Sequence, residues 1–239
     1  MIKVDSLSFV YPTGISALQG LSFSVAVGES VGIIGRNGAG KSTLVNHLNG
    51  VLSPSSGTVS IDGMVIDKKN AETVRKKVGL IFQNPDDMLF MPRIIDDIMF
   101  GPLNLGMDEH KAYHAAEAVL KEFGILDLAE RPPYTLSQGQ KRFAALAAVL
   151  VMAPSVLVLD EPTSDLDPGN RRKLINHLNR LSLTKVVVSH DLDFVWETCS
   201  RVLLLSQGRL VADGPMKQVL SDKTLLESVS LELPLRLQC

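Results

Sequence analysis

The segment Gly35-Arg36-Asn37-Gly38-Ala39-Gly40-Lys41-Ser42-Thr43 carries the spacing G-x-x-x-x-G-K-[ST], which is chemistry for holding phosphate. Its glycines let successive backbone N–H groups turn inward on a β-phosphate, at the positive end of the helix that follows. Lys41 can reach the β- and γ-phosphates, and the Ser42 hydroxyl can ligate Mg²⁺. A second constellation stands downstream, where Val156-Leu157-Val158-Leu159 runs into Asp160-Glu161. A buried strand would deliver Asp160 to its end, where it can hold Mg²⁺ directly or through water. Glu161, on the other side of the pleat or in the turn, can polarise an attacking water as general base. A strand ending in Asp-Glu is common by itself. Paired with the phosphate loop, it points to nucleotide hydrolysis.

Those loops need strands and helices behind them. Residues 2–28 alternate apolar and polar in short runs, such as Leu21-Ser22-Phe23-Ser24-Val25, and predict half-buried antiparallel strands. Val31-Gly32-Ile33-Ile34 is a fully apolar strand entering the glycine turn, and Ser42 to Leu48 follows as a helix. A strand pair is expected near 57–66 and a central strand over 77–82. From Pro92 to Met152 the pattern turns helical: 112–123 is amphipathic, and 138–152 is apolar almost all round, hence buried. Strands return at 156–159, 185–188 and 202–205, separated by helical stretches. This alternation predicts an α/β fold, a mainly parallel sheet with helices on both faces. The expected division is an antiparallel β subdomain (1–30 and 57–70), a nucleotide-binding core (31–56, 71–91 and 153–214), an inserted helical subdomain (92–152) and a C-terminal tail (215–239).

Composition narrows the class. With 45% hydrophobic and 21% charged residues, the chain reads as an ordinary globular protein. A net charge of −2 argues against a nucleic-acid partner, which calls for a basic excess. Met1 to Asp5 lack the start of a signal peptide. The apolar run from Phe143 to Leu159 is broken by Pro154-Ser155, so it is expected to be a helix and a strand and not a membrane span. A soluble chain is expected, so membrane work would need partners. Cys199 and Cys239 are expected to be reduced thiols.

Leu136-Ser137-Gln138-Gly139-Gln140 resembles the signature motif of the ABC (ATP-binding cassette) ATPases, usually Leu-Ser-Gly-Gly-Gln. Around it, in the family's order, stand Tyr11 (the aromatic that stacks on adenine), Gln83 (the Q-loop), Ser164-Asp165-Leu166-Asp167 (the D-loop) and His190 (the switch histidine). The resemblance covers essentially the whole chain and implies a P-loop NTPase (RecA-like) core with ATP and Mg²⁺ as cofactors. It implies that two subunits, two copies or a copy and a paralogue, pack head to tail around two ATPs at the cytoplasmic face of the membrane. Ser137 and Gly139, with Gln140 beside them, would then touch the partner's γ-phosphate. Gln83 would sense Mg²⁺ and the attacking water while linking to integral membrane subunits. His190 would hold the γ-phosphate and orient Glu161, and Asp167 would cross the interface. Gln138 departs from the usual glycine, which is tolerable if its side chain points away.

Residues 82–90 and 100–106, with Ala212-Asp213-Gly214-Pro215 and 231–235, look like the energy-coupling factor branch, and within it the cobalt and nickel importer ATPases. Met88 departs from the glutamine usual there, and the chain lacks the longer C-terminal extension of several relatives. Other cargo, a vitamin such as biotin, fits the same architecture; a soluble cassette acting on DNA or the ribosome fits poorly. His110 and His114, spaced i,i+4, are expected on a solvated helix face and not at a metal. Arg171-Arg172-Lys173 is expected as a solvated helix start. Met88, Phe90 and Met91 are either core or a docking groove for a membrane subunit.

Overall fold

The computed structural model describes residues 2–238, so Met1 and Cys239 lie outside the described residues. Alternation builds the first sheet. In β1 (Ile2–Val10) Ile2 and Val4 are buried while Lys3 and Asp5 face water. Ser6 then turns to a positive φ of 49°, the register shifts, and Leu7 is the next residue brought inward. β2 (Ser16–Val25) and β4 (Ser56–Ile61) flank β1 antiparallel, and β5 (Met64–Val65) pairs with β4, giving the order β2-β1-β4-β5.

The second sheet contains β3 (Ser30–Ile34), β6 (Val78–Ile81), β7 (Val156–Asp160), β8 (Thr184–Val188), β9 (Arg201–Ser206) and β10 (Arg209–Pro215). Its order is β10-β9-β3-β8-β7-β6, parallel throughout except for β10 at the edge. Its parallel strands are covered on both faces and are mostly apolar, whereas edge strand β10 alternates. Val156 and Val158 point into the core shared with the antiparallel sheet, and Leu157 and Leu159 into the core shared with the helices. All four are fully buried, each stabilising the fold by about 1.5–3 kcal/mol relative to exposure.

Helix α1 (Lys41–Leu48) follows the glycine turn, and α2 (Ala71–Lys77) precedes β6. The central strand predicted from Lys77 begins one residue later because Lys77 closes α2. That helix gives little apolar signal, burying only Val74. Between β6 and β7 lie α3 (Ile94–Asn104), α4 (Glu109–Glu122) and α5 (Gln138–Leu150). The apolar run at 143–159 does break at Pro154: α5 ends at Leu150, β7 starts at Val156, and no described helix is long and apolar enough to cross a membrane. α6 (Pro168–Arg180) and α7 (Leu192–Thr198) alternate with the last strands. After β10 come α8 (Met216–Ser221) and α9 (Lys223–Ser228). The segment beyond them is tied back to α7, through Arg236 on Asp193 at 2.9 Å and Glu197 at 3.2 Å.

Cys199 is buried, and burial pushes its thiol up to about 11, so it stays protonated at neutral pH.

Candidate nucleotide site

Four neighbouring parallel strands, β3, β8, β7 and β6, end on one side of the sheet, and their C-terminal loops carry the chemistry-bearing residues. Ligands in open α/β sheets bind at such strand ends. A cleft of about 540 Å³ opens there. Its walls hold Tyr11, Asn37, Gly38, Gly40, Lys41, Ser42, Thr43, Gln83, Asp160, Glu161 and His190, so residues scattered from 11 to 190 converge. Gly35 and Ala39 belong to the same loop but do not line the cleft.

The loop geometry is set by its glycines. Gly40, at φ 102°, is the N-cap of α1, and a Cβ there would come within 2.6 Å of the Ala17 carbonyl oxygen. No side chain caps α1, and its first turn holds no acidic residue. Lys41 is 7% exposed, and its ammonium donates to the carbonyls of Gly35 (2.7 Å) and Arg36 (3.1 Å). Burial pulls its pKa down, against the opposing pull of Glu161 and Asp160. Asp160 shifts the other way: burial raises its pKa, while a hydrogen bond from Ser42 lowers it. The Tyr11 hydroxyl meets the Thr43 hydroxyl at 2.9 Å, and its ring stands edge-on to Phe9.

Glu161 is the strained residue of the site. Its φ of 47° lies in the left-handed region, at a cost of about 1–3 kcal/mol for a residue with a Cβ. The backbone is held there by its N–H donating to Val188 O at 2.8 Å. This turn swings the carboxylate off the β7 pleat toward the end of β8. There Glu161 Oε2 lies 2.7 Å from His190 Nδ1 and accepts from the His190 backbone N–H at 3.2 Å. Glu161 is 8% exposed, whereas the His190 side chain is 67% exposed and leans out over the cleft.

The signature segment is elsewhere. Ser137, Gly139, Gln140 and Asp167 do not line the cleft. Ser137 is the N-cap of α5 and forms a capping box with Gln140: Gln140 N–H donates to Ser137 Oγ (3.3 Å), and Ser137 N–H to Gln140 Oε1 (2.9 Å). Gly139 is buried, and a Cβ on it would meet Asn170 Nδ2 at 2.3 Å, whereas Gln138 is exposed. Asp167 caps α6, accepting from Asn170 N–H at 2.9 Å and its side-chain amide at 2.6 Å. Ser137, Gln140 and Asp167 thus have hydrogen-bond partners within their own chain.

Residues 18–164 match the ABC transporter family. An ABC transporter ATP-binding protein of Geobacter sulfurreducens is 45% identical over 238 residues, covering 100% of this chain and 96% of that one. The chain belongs to the ABC transporter ATP-binding family. Like that family, it is an ATPase. An energy-coupling factor transporter ATP-binding protein of Carboxydothermus hydrogenoformans is 46% identical over 237 residues, 98% of this chain and 87% of that one. Among solved structures, cbiO1 from Clostridium perfringens, part of the ABC transporter complex cbiONQ, superposes with a TM-score of 0.84 at 37% identity, covering 95% and 93% of the two chains. A dimeric ATP-binding cassette bound to ADP and Pi superposes with a TM-score of 0.83 at 27% identity, covering 90% and 99%.

Within this cassette several residues sit differently from the sequence expectation. Arg171 is a half-buried tie and not a solvated helix start: it pairs with Asp191, next to His190, and stands over the Phe194 ring. His110 and His114 are on an exposed face, as expected, and no group of three or more His, Cys, Asp or Glu able to hold a metal occurs among the described residues. Met88 packs against the core, whereas Phe90 is 63% exposed and meets the exposed Phe100 edge-on at 5.0 Å. Sequence reading missed Arg142, which is 2% exposed and bound to the Q-loop backbone. The signal was available: a Lys-Arg pair in a helix read as buried demands partners.

Proposed function

We propose that this ATPase energises a membrane importer of cobalt or nickel ions by closing head to tail on a second cassette around ATP and opening after hydrolysis. The observation that carries the reading is the Glu161–His190 pair, 2.7 Å apart at the cleft that Lys41, Ser42 and Asp160 also line. The backbone N–H groups of the glycine turn and the uncapped start of α1 take the β-phosphate, and Lys41 leaves its carbonyls for the phosphate oxygens. Tyr11 offers its ring to the adenine. Glu161 accepts the proton of the attacking water, Gln83 orients that water, and His190 fixes Glu161 and reaches the γ-phosphate. Ser42, Asp160 and Gln83 suit Mg²⁺, because they are a small set of hard oxygen donors and such an ion takes its other ligands from phosphate and water. Bound, it would neutralise charge on the β- and γ-phosphates.

Ser137, Gly139 and Gln140 act on the ATP of the second cassette, a copy or a paralogue, and Asp167 crosses between the two. Integral membrane subunits dock where the Q-loop segment meets the helical part, at the exposed Phe82, Phe90 and Phe100. The work is done at the cytoplasmic face of the membrane, with no nucleic acid. The energy-coupling factor relatives support the importer branch, and the cbiO1 likeness together with the resemblance of residues 82–90 and 100–106 favours the metal cargo. The reading of the chain as β subdomain, core, helical subdomain and tail is supported by the two separate sheets and by α3–α5 lying between β6 and β7.

The test is uptake of labelled cobalt and nickel in cells lacking the gene, restored with the parent chain or with Glu161→Gln. The parent restores uptake and the variant does not. The variant still binds ATP and accumulates as a dimer, while hydrolysis falls about 10²–10⁴-fold, the loss of a general base, or about 3–5 kcal/mol of barrier. Uptake of both metals independent of the gene would overturn the cargo and turn the search to a vitamin.

A further inference from the structure

We propose that Arg142 is a positioning residue for hydrolysis, tying the helix that starts at the signature turn to the backbone of the Q-loop and so setting where Gln83 sits. The tie rests on the ATPase reading of the cleft. β6 ends at Ile81, and the chain turns out of the strand at once. The carbonyls of Phe82 and Gln83, which would point to opposite sides in a continued strand, both accept from one guanidinium. Arg142 Nη1 donates to Phe82 O at 2.7 Å and Nη2 to Gln83 O at 2.6 Å. A planar fork with fixed donor spacing holds two successive carbonyls in one orientation; no other side chain does this so rigidly.

The neighbouring residue repeats the contact. Lys141 Nζ donates to Asp86 Oδ1 at 2.6 Å, in the short 3₁₀ turn that follows the Q-loop. Consecutive cations at the start of α5 therefore grip both ends of the segment 82–86. Both are buried, at 9% and 2% exposure, although the helix around them is apolar. A buried cation is costly unless fully hydrogen-bonded, and Arg142 has no ion pair among the described residues and an unpartnered Nε. Stability alone favours an apolar residue here. The carbonyl contacts touch only backbone, leaving the Gln83 side chain free to line the cleft. Any movement of α5 when the signature turn meets ATP is thereby transmitted to Gln83.

Steady-state ATP hydrolysis by the full chain tests this. Arg142→Met keeps the aliphatic stem and removes the donors: kcat is expected to fall about tenfold while KM for ATP stays within about threefold, because the phosphate loop is untouched. Arg142→Lys, with one ammonium, falls between. Gln83→Ala lowers kcat by itself, and adding Arg142→Met to it lowers kcat no further, since both act through one group. Amide hydrogen exchange over 82–86 quickens in Arg142→Met. Multiplying effects of the two substitutions, a raised KM with unchanged kcat, or unaltered exchange would overturn the tie. Should Arg142→Met fail to fold, Asp86→Ala removes the exposed acceptor of the second contact; it is expected to cost about two- to threefold in kcat, and an unchanged kcat overturns the proposal. The parent and Glu161→Gln run in the same assay: a parent that hydrolyses beside an inactive Glu161→Gln keeps the cleft reading whatever Arg142 does.

Discussion

The phosphate cleft and the signature turn are both built on the start of a helix, to opposite effect. At α1 the N-cap is a glycine, no side chain covers the first turn, and no acidic residue softens it. Its leading N–H groups are left for a ligand, and an anion is the ligand they favour. At α5 the chain satisfies itself, with Ser137 and Gln140 closing the turn in a capping box. Only the Ser137 hydroxyl proton and the N–H groups not used by the box remain to be offered outward. One helix start leaves its donors open to an anion; the other is capped by its own side chains, and in the proposed head-to-tail pairing it would serve a site on the second cassette. On that proposal a single cassette would carry the demanding half of one nucleotide site and the undemanding half of another.

Mixing two dead variants gives the largest test of that contrast. Lys41→Ala disables the cleft, and Gly139→Asp sets a carboxylate where a partner's phosphate would approach. A Cβ at Gly139 would stand 2.3 Å from Asn170 Nδ2 and 2.8 Å from its Cγ, so the Asn170 side chain must leave its bond to Asp167 to admit the new residue, and folding of this variant is checked first. Each variant alone is expected to hydrolyse ATP at a small fraction of the parent rate. Mixed at equal amounts, half of the dimers pair a sound cleft with a sound signature turn at one of two sites, restoring about a quarter of the parent rate. No recovery from two folded variants would mean that the second cassette is a different chain, or that both halves act within one copy.

The cleft was legible in the sequence because its residues are punctuation: a glycine spacing, and an apolar strand that stops at two carboxylates. What lay beyond it was legible only in part, for physical reasons. Glu161 was expected across the pleat or in the turn, but the left-handed backbone that aims it at His190 leaves no trace in residue type. Arg171 read as surface charge and Arg142 passed unnoticed inside a helix read as buried, since a one-dimensional pattern shows no partners; Asp191 and the Phe82 and Gln83 carbonyls are distant in sequence. The helix α2 escaped because one buried residue gives no periodicity. Ser137, Gln140 and Asp167 show the converse problem. Their patterns are fully explained by local capping, so the motif alone does not separate a helix start from a contact with another chain.

The two helices should also differ in their response to acid. In the last turn of α1 sits His47, 1% exposed, with Nδ1 at 2.7 Å from Thr43 O and no hydrogen-bond partner for Nε2. Burial lowers its pKa below the ordinary 6.5, so the folded chain resists a proton that the unfolded chain accepts. Its stabilising contribution is full above pH 6.5 and is lost as pH falls from there toward the depressed folded value. The expected slope is at most about 1.4 kcal/mol per pH unit, the limit for one proton. Urea unfolding of the parent and of His47→Leu between pH 7.5 and 5 measures it; packing shifts the absolute values, so the slope is the readout. Equal slopes would show that the cleft-side helix carries no acid-sensitive group of its own.

The smallest effect is expected at Gln138, where the signature departs from the usual glycine. If the α5 turn is complete by itself, that side chain lies outside the capping box and outside the packing, as its exposure indicates. Restoring glycine should then leave kcat within about threefold of the parent, and lower stability by about 0.5–1 kcal/mol through the flexibility of glycine in a helix. Gly139, one residue on, is the position where a side chain has a structural cost, because Asn170 stands against it. A large gain in kcat on Gln138→Gly would reverse the comparison. It would mean that the glutamine holds the opposing phosphate away, and that the signature turn limits the rate as strongly as the cleft does.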